Sequence, residues 1–172
     1  MVPGLAGFGE RTGPRGGGKT GPNPTDRGKS GTKRHVVVDR RGIPLAICQS
    51  AANVHDSKML EETVDAIPAL KGRRGRPRKR PAKLHADKGY DYDRCRQALR
   101  KRGIIPRIAR KGIESKNRLG RHRWVVERTL SWLNRFRRLV VRYERRDDIH
   151  QAFLSLGCAL ICWNFVQREG FC

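Results

Sequence analysis

Acid is scarce in this sequence beside base. Across 172 residues, 16 aspartates and glutamates stand against 39 lysines and arginines, a net charge of +23. Such a surplus favours a polyanionic partner, because each phosphate it neutralises releases condensed counterions. Nucleic acid is the first expectation and an anionic membrane surface the second. Long apolar runs are also missing. The longest, residues 152–166, is interrupted by Ser155, Gly157 and Asn164 and is read as too short to span a bilayer. The opening residues carry no secretory pattern. No disulfide framework is present either, since the five cysteines are odd in number and irregularly spaced. Together these absences point to a reducing cytoplasm and no membrane partner. Cys158 and Cys162 lie four apart on one helical face but have no second pair at ligand spacing, so zinc is not expected there.

What is present divides into a tail and one domain of ordinary size. Residues 1–30 hold nine glycines and four prolines. Such a segment buries too little surface to offset its ordering entropy, so it is read as a disordered tail ahead of a domain spanning 31–170. From Lys33 onward, His35 to Val38 and Ile43 to Cys48 flank Asp39-Arg40-Arg41-Gly42, which predicts a β-hairpin. Asp56 stands where an N-cap belongs, before the helical spacing of Met59, Leu60, Val64 and Ile67, although His55-Asp56 also reads as a functional pair. Lys71 to Lys83 holds eight basic residues and no acid. Within it, Arg74, Arg76, Arg78, Lys79 and Arg80 are candidate DNA contacts. Arg74-Gly75-Arg76-Pro77 is similar to the core of an AT-hook, a minor-groove peptide, and general phosphate contact and a solvated linker stand beside that reading.

Lys83 to Ala86 predicts a strand, Asp91 to Arg102 a helix, and Ile104 to Ile108 a second strand. That order implies a parallel crossover with Asp87 at the carboxyl edge, where ligands collect in open α/β sheets. In the following helix Val125, Thr129, Trp132, Phe136 and Val140 recur at core spacing. Glu127 falls about 200° around the wheel from Val125, off that stripe. It is either aimed at a site or paired with Arg123 four residues earlier. Asp148 is a predicted N-cap with Gln151 in capping-box position, before a last helix apolar nearly all round and therefore expected at the centre of packing.

Five motifs in order carry a resemblance: Thr20-Gly-Pro-Asn-Pro-Thr-Asp-Arg-Gly28, Ala52-Asn-Val-His-Asp56, Ala86-Asp-Lys-Gly-Tyr-Asp91, the run Arg123 to Trp132, and Arg142-Tyr-Glu-Arg-Arg-Asp-Asp-Ile-His150. From Gly21 to Trp163 the chain resembles the catalytic core of bacterial insertion-sequence transposases of the DDE, ribonuclease-H-like type. The resemblance implies an α/β fold, a mixed sheet flanked by helices. It implies Asp87 and Glu127 as catalytic carboxylates holding Mg²⁺, or Mn²⁺ in its place, with no nucleotide cofactor. Lys88, Arg123 and Arg135 join the expected DNA contacts, although related families carry a lysine at the position of Asn134. Double-stranded DNA at element ends, a second copy of the chain and a nucleoid-associated location are likewise implied. Carboxylates suit this task because hard Mg²⁺ takes oxygen ligands, and two such ions activate the attacking hydroxyl and neutralise the leaving oxygen.

The family's first carboxylate belongs on the first, central strand, near Gly7 by spacing. No aspartate precedes Asp26, and Glu10 sits among glycines. Asp39 is assigned to the hairpin turn. The central strand is therefore expected to be missing, the chain to be a truncated or frameshift-partner piece completed by an upstream-frame product, and the isolated chain to cut no DNA. The alternative is an inactive basic DNA-binding protein that occupies element ends. A ribosome-associated RNA binder has no motif in its favour.

Overall fold

In the computed structural model of the chain the described residues are 4–12, 17–24, 27–71, 75–112 and 116–168, with 4–12 and 116–123 described by backbone alone. The strands are β1 (Gly4–Thr12), β2 (Gly21–Pro22), β3 (Ser30–Val38), β4 (Pro44–Ala51), β5 (Lys83–Ala86) and β6 (Ile105–Ile108). The helices are α1 (Leu60–Asp65), α2 (Asp93–Lys101), α3 (Lys116–Leu133), α4 (Arg137–Val140) and α5 (Asp147–Arg168).

The sheet runs β4-β3-β1-β5-β6, with β2 a two-residue extension paired to β3. β1 is antiparallel to β3 and parallel to β5, and β5 is parallel to β6. This is the mixed sheet expected of the ribonuclease-H-like class. Val36-Val37-Val38 shows why such a sheet needs helices on both sides. Val37 packs with Leu60, Leu84 and Leu99 beneath α1 and α2, whereas Val36 and Val38 pack with Val125, Leu133 and Leu154 beneath α3 and α5. Alternate side chains point to opposite faces, so an unbroken apolar run is one buried twice.

The hairpin forms as the turn chemistry requires. Asp39 Oδ1 accepts the N–H groups of Arg41 and Ile43, both at 2.8 Å, and Gly42 takes φ +84°. The β5-α2-β6 crossover also forms as predicted.

Three expectations are corrected. The central strand is not missing: residues 4–12 occupy it, paired to β3 over 5–12 and to β5 over 4–6. Its three glycines, unfavourable to a strand in isolation, hid it; two ready-made ladders outweigh that propensity. Nor is the rest of 1–30 an unstructured tail where it is described. Arg142, 2% exposed, donates to Gly18 O (2.7 Å), Thr20 Oγ1 (3.1 Å), Thr32 Oγ1 (2.7 Å) and Glu144 O (2.9 Å). The first and last of the five motifs are thus two halves of one buried anchor. Finally, α5 is not central. It packs on β4 through one face, burying His150, Leu154, Gly157 and Ile161, and leaves the other outside.

Smaller departures follow from the same packing. α3 ends at Leu133, so Val140 leaves its stripe and is exposed. Gln151 donates to Ile47 O at 2.8 Å instead of capping α5. At 22 residues α5 is long and apolar enough to cross a membrane by length and composition, a property it shares with core helices of soluble proteins.

Candidate catalytic edge and nucleic-acid surface

Asp87 ends β5 with extended backbone, and its Oδ1 accepts the Gly89 N–H at 2.9 Å, capping a 3₁₀ turn over Lys88–Tyr90. A second 3₁₀ turn, Asp56–Lys58, packs against the first. Asp56 is therefore not the N-cap of α1. His55 caps its turn, and Asp56 is 8% exposed with Oδ1 3.3 Å from Lys33 Nζ. Both carboxylates border one spot. A Cβ on Gly89 would lie 3.0 Å from Asp87 Oδ1 and 3.5 Å from Asp56 Oδ2. Glycine follows Asp87-Lys88 because the space its side chain would need is bounded by two acids.

Tyr90 closes the floor of this edge at 1% exposure. Burial first, then the charges of Asp56 and Asp87, push its hydroxyl well above the ordinary tyrosine range, so it stays protonated. Cations and an aromatic ring line the rim. Tyr92 hydroxyl lies 3.3 Å from His55 Nε2, and Lys111 Nζ and Arg94 Cζ sit 4.8 and 5.5 Å from the Tyr92 ring centre. An exposed ring between cations is a surface that nucleic acid can stack on and be held to.

Glu127 is exposed on α3, off the core stripe as the wheel requires, while its neighbours Val125 and Val126 are buried. α3 packs over β1 and β3, and β1 is the direct neighbour of β5, the strand that Asp87 follows. Arg128 is sandwiched by Trp124 and Trp132, 4.5 and 4.9 Å from their ring centres, and donates to Arg41 O. That cation is spent on fixing the helix over the hairpin. The side chain of Arg123 lies outside the described residues, as does all of Arg74. Arg76, Arg78, Lys79, Arg80 and Arg135 are exposed, and Lys88 is half-buried. The basic loop is tied down where Arg78 and Leu70 exchange backbone hydrogen bonds of 2.8 and 2.9 Å, and Arg80 donates to Arg102 O at 3.3 Å.

The β1–β5 ladder runs Gly4 to Leu84, Leu5 to His85 and Ala6 to Ala86. The paired register ends at Ala6–Ala86; carried one residue further, it would set Gly7 beside Asp87. Spacing and register therefore agree on the position of the first carboxylate, and the residue there is glycine. The described residues gather no group of three or more side chains able to hold a metal. Burial raises both Cys158, to about 12, and Cys162, so neither is a ready thiolate ligand.

The family model for the transposase DDE domain matches residues 9–165. The chain belongs to that family. A relative from Burkholderia cepacia, named "Putative transposase for insertion sequence element IS402", is 56% identical over 150 residues, which cover 87% of this chain and 71% of the relative. The sequence offered Asp56 both as a helix cap and as half of a functional pair with His55, and offered Arg142 only as part of the closing motif, with no role of its own. Asp56 looked like a helix cap because the helix began nearby in sequence; Arg142 looked like one basic residue among many. The signal available for Arg142 was its place in the Arg-Tyr-Glu-Arg-Arg motif.

Proposed function

We propose that this transposase-family chain binds the double-stranded ends of an insertion sequence and carries a phosphodiester-cutting centre that is one carboxylate short. The observation that carries this reading is the β1–β5 register, which ends at Ala6–Ala86 and, carried one residue further, would set Gly7 beside Asp87. Asp87 and Glu127 are the two carboxylates that would hold Mg²⁺ or Mn²⁺. Bound there, the metal would supply an activated hydroxyl and a neutralised leaving oxygen. Two carboxylates do not complete the set, so the chain's own contribution is placement of DNA. Arg76, Arg78, Lys79, Arg80, Lys88 and Arg135, with Arg74 and Arg123, supply phosphate contacts, and the Tyr92 rim supplies stacking. Its setting is the cytoplasm, on nucleoid DNA. An acid-bearing strand from an upstream frame could complete the centre only by displacing residues 4–12 from between β3 and β5.

Restoring the acid tests this reading. Purified Gly7→Asp, incubated with its element's end DNA and Mg²⁺, is expected to nick or join strands, and adding Asp87→Asn or Glu127→Gln abolishes the gain. The unchanged chain retards the same DNA without cutting it. Mg²⁺-dependent cutting by the unchanged chain that Asp87→Ala removes would overturn the proposal.

A further inference from the structure

α5 has two apolar faces and the fold covers one. His150, Leu154, Gly157 and Ile161 turn inward. On the opposite side Ile149, Ala152, Leu156, Ala159, Trp163 and Val166 recur at alternating spacings of three and four, and all six are exposed. Trp163 is 57% and Leu156 55% exposed. A three-four alternation sustained over 18 residues is the seam of a two-helix coiled coil. The helix also carries no Lys, Arg, Asp or Glu from 149 to 167, in a chain where such residues make up 32%. Solvated helix faces are normally charged, and this one is not.

We infer that this seam pairs with the α5 of a second copy of the chain, in antiparallel orientation. Two features select that occupant. Run antiparallel, the seam matches Ile149 with Val166, Ala152 with Trp163 and Leu156 with Ala159, so each alanine meets a large residue and the layers fill. Run parallel, Trp163 meets Trp163 while alanine faces alanine, leaving one layer crowded and two hollow. The ends agree: antiparallel packing brings the acidic first turn, Asp147 and Asp148, against the last turn with Arg168, and opposes the helix dipoles. The exposed apolar surface of the seam with Leu160 amounts to about 600 Å² per copy, near the lower limit of what a specific pair buries. A seam without charge also lets two copies of +23 approach through their least repulsive face. This pairing does not depend on the cutting centre; a dimer that never cuts DNA would leave it standing.

Sedimentation velocity on the full chain, free of DNA and in about 0.5 M salt to screen its charge, tests the pairing. A species of about twice 19.6 kDa is expected at micromolar concentration. Ile149→Lys and Val166→Glu are each expected to weaken association by about tenfold or more, and the double variant to recover most of the loss, because lysine then faces glutamate across the antiparallel seam. Far-UV circular dichroism should be unchanged throughout, since both positions are exposed. A chain still monomeric at about 100 µM, whether or not it binds lipid vesicles, overturns the inference. A double variant weaker than either single one overturns the orientation, because a parallel seam sets like charge against like.

Discussion

Arg142 offers the most demanding test of how this fold is held. Its guanidinium is buried, yet every partner at hydrogen-bond distance is a carbonyl or hydroxyl and none is a carboxylate. Burial lowers its pKa, and the nearby charges of Asp147 and Glu144 only partly oppose that. Changing Arg142 to Met removes the charge and its desolvation cost, but orphans the Gly18 and Glu144 carbonyls. Thr32 Oγ1 loses less, because it already donates to Lys19 O at 3.1 Å. One orphaned buried acceptor, the Glu144 carbonyl, at about 1–3 kcal/mol, with a smaller cost at the solvent-accessible Gly18 carbonyl and some desolvation recovered, gives a net loss of about 2 kcal/mol. In urea unfolding that is a midpoint lowered by about 1–2 M at unchanged slope. Hydrogen exchange at residues 18–20 should accelerate more than exchange in β6, because the anchor holds that loop. Arg138→Met is the control: its side chain is 59% exposed, and its bond to Glu144 should be worth about 1 kcal/mol or less. A loss under about 1 kcal/mol for Arg142→Met, with exchange at 18–20 unchanged, would refute the anchor.

Acid should destabilise the fold in a defined window. Burial and Lys33 lower His35 to about 4, and burial lowers His150 against the opposing Glu144 hydrogen bond. Both are neutral when folded and take up protons on unfolding, so stability is intact above about pH 6.5 and falls as pH drops toward 4, by up to about 3 kcal/mol for His35; His35→Gln should flatten the decline in unfolding free energy measured across that range. Changing Arg76, Arg78, Lys79 and Arg80 to Ala should weaken DNA binding at all sequences and reduce the salt-dependence slope by about one unit for each phosphate no longer neutralised. An unchanged slope in titrations at several salt concentrations would exclude the loop from the DNA-binding surface. Gly89→Ala should displace the Asp87 carboxylate, and in the Gly7→Asp background it should lower DNA cutting by about tenfold or more, read in single-turnover assays.

Local pattern and tertiary context divided the work unevenly. The β3–β4 hairpin, the β5-α2-β6 crossover, Asp87 at the strand edge and the outward Glu127 were legible because each rests on periodicity or turn chemistry within a dozen residues. The family was legible because its motifs keep their order. β1 was not, since Gly-Leu-Ala-Gly-Phe-Gly becomes a strand only between two neighbours that arrive later in the chain. The Arg142 anchor spans 110 residues to Thr32, Asp56 meets Asp87 only where two short turns pack, and which half of α5 is covered depends on where β4 lies. Sequence alone decided what each segment can form. The tertiary structure decided which surfaces meet, because contact across long separations depends on the whole assembled sheet and leaves no local periodicity behind.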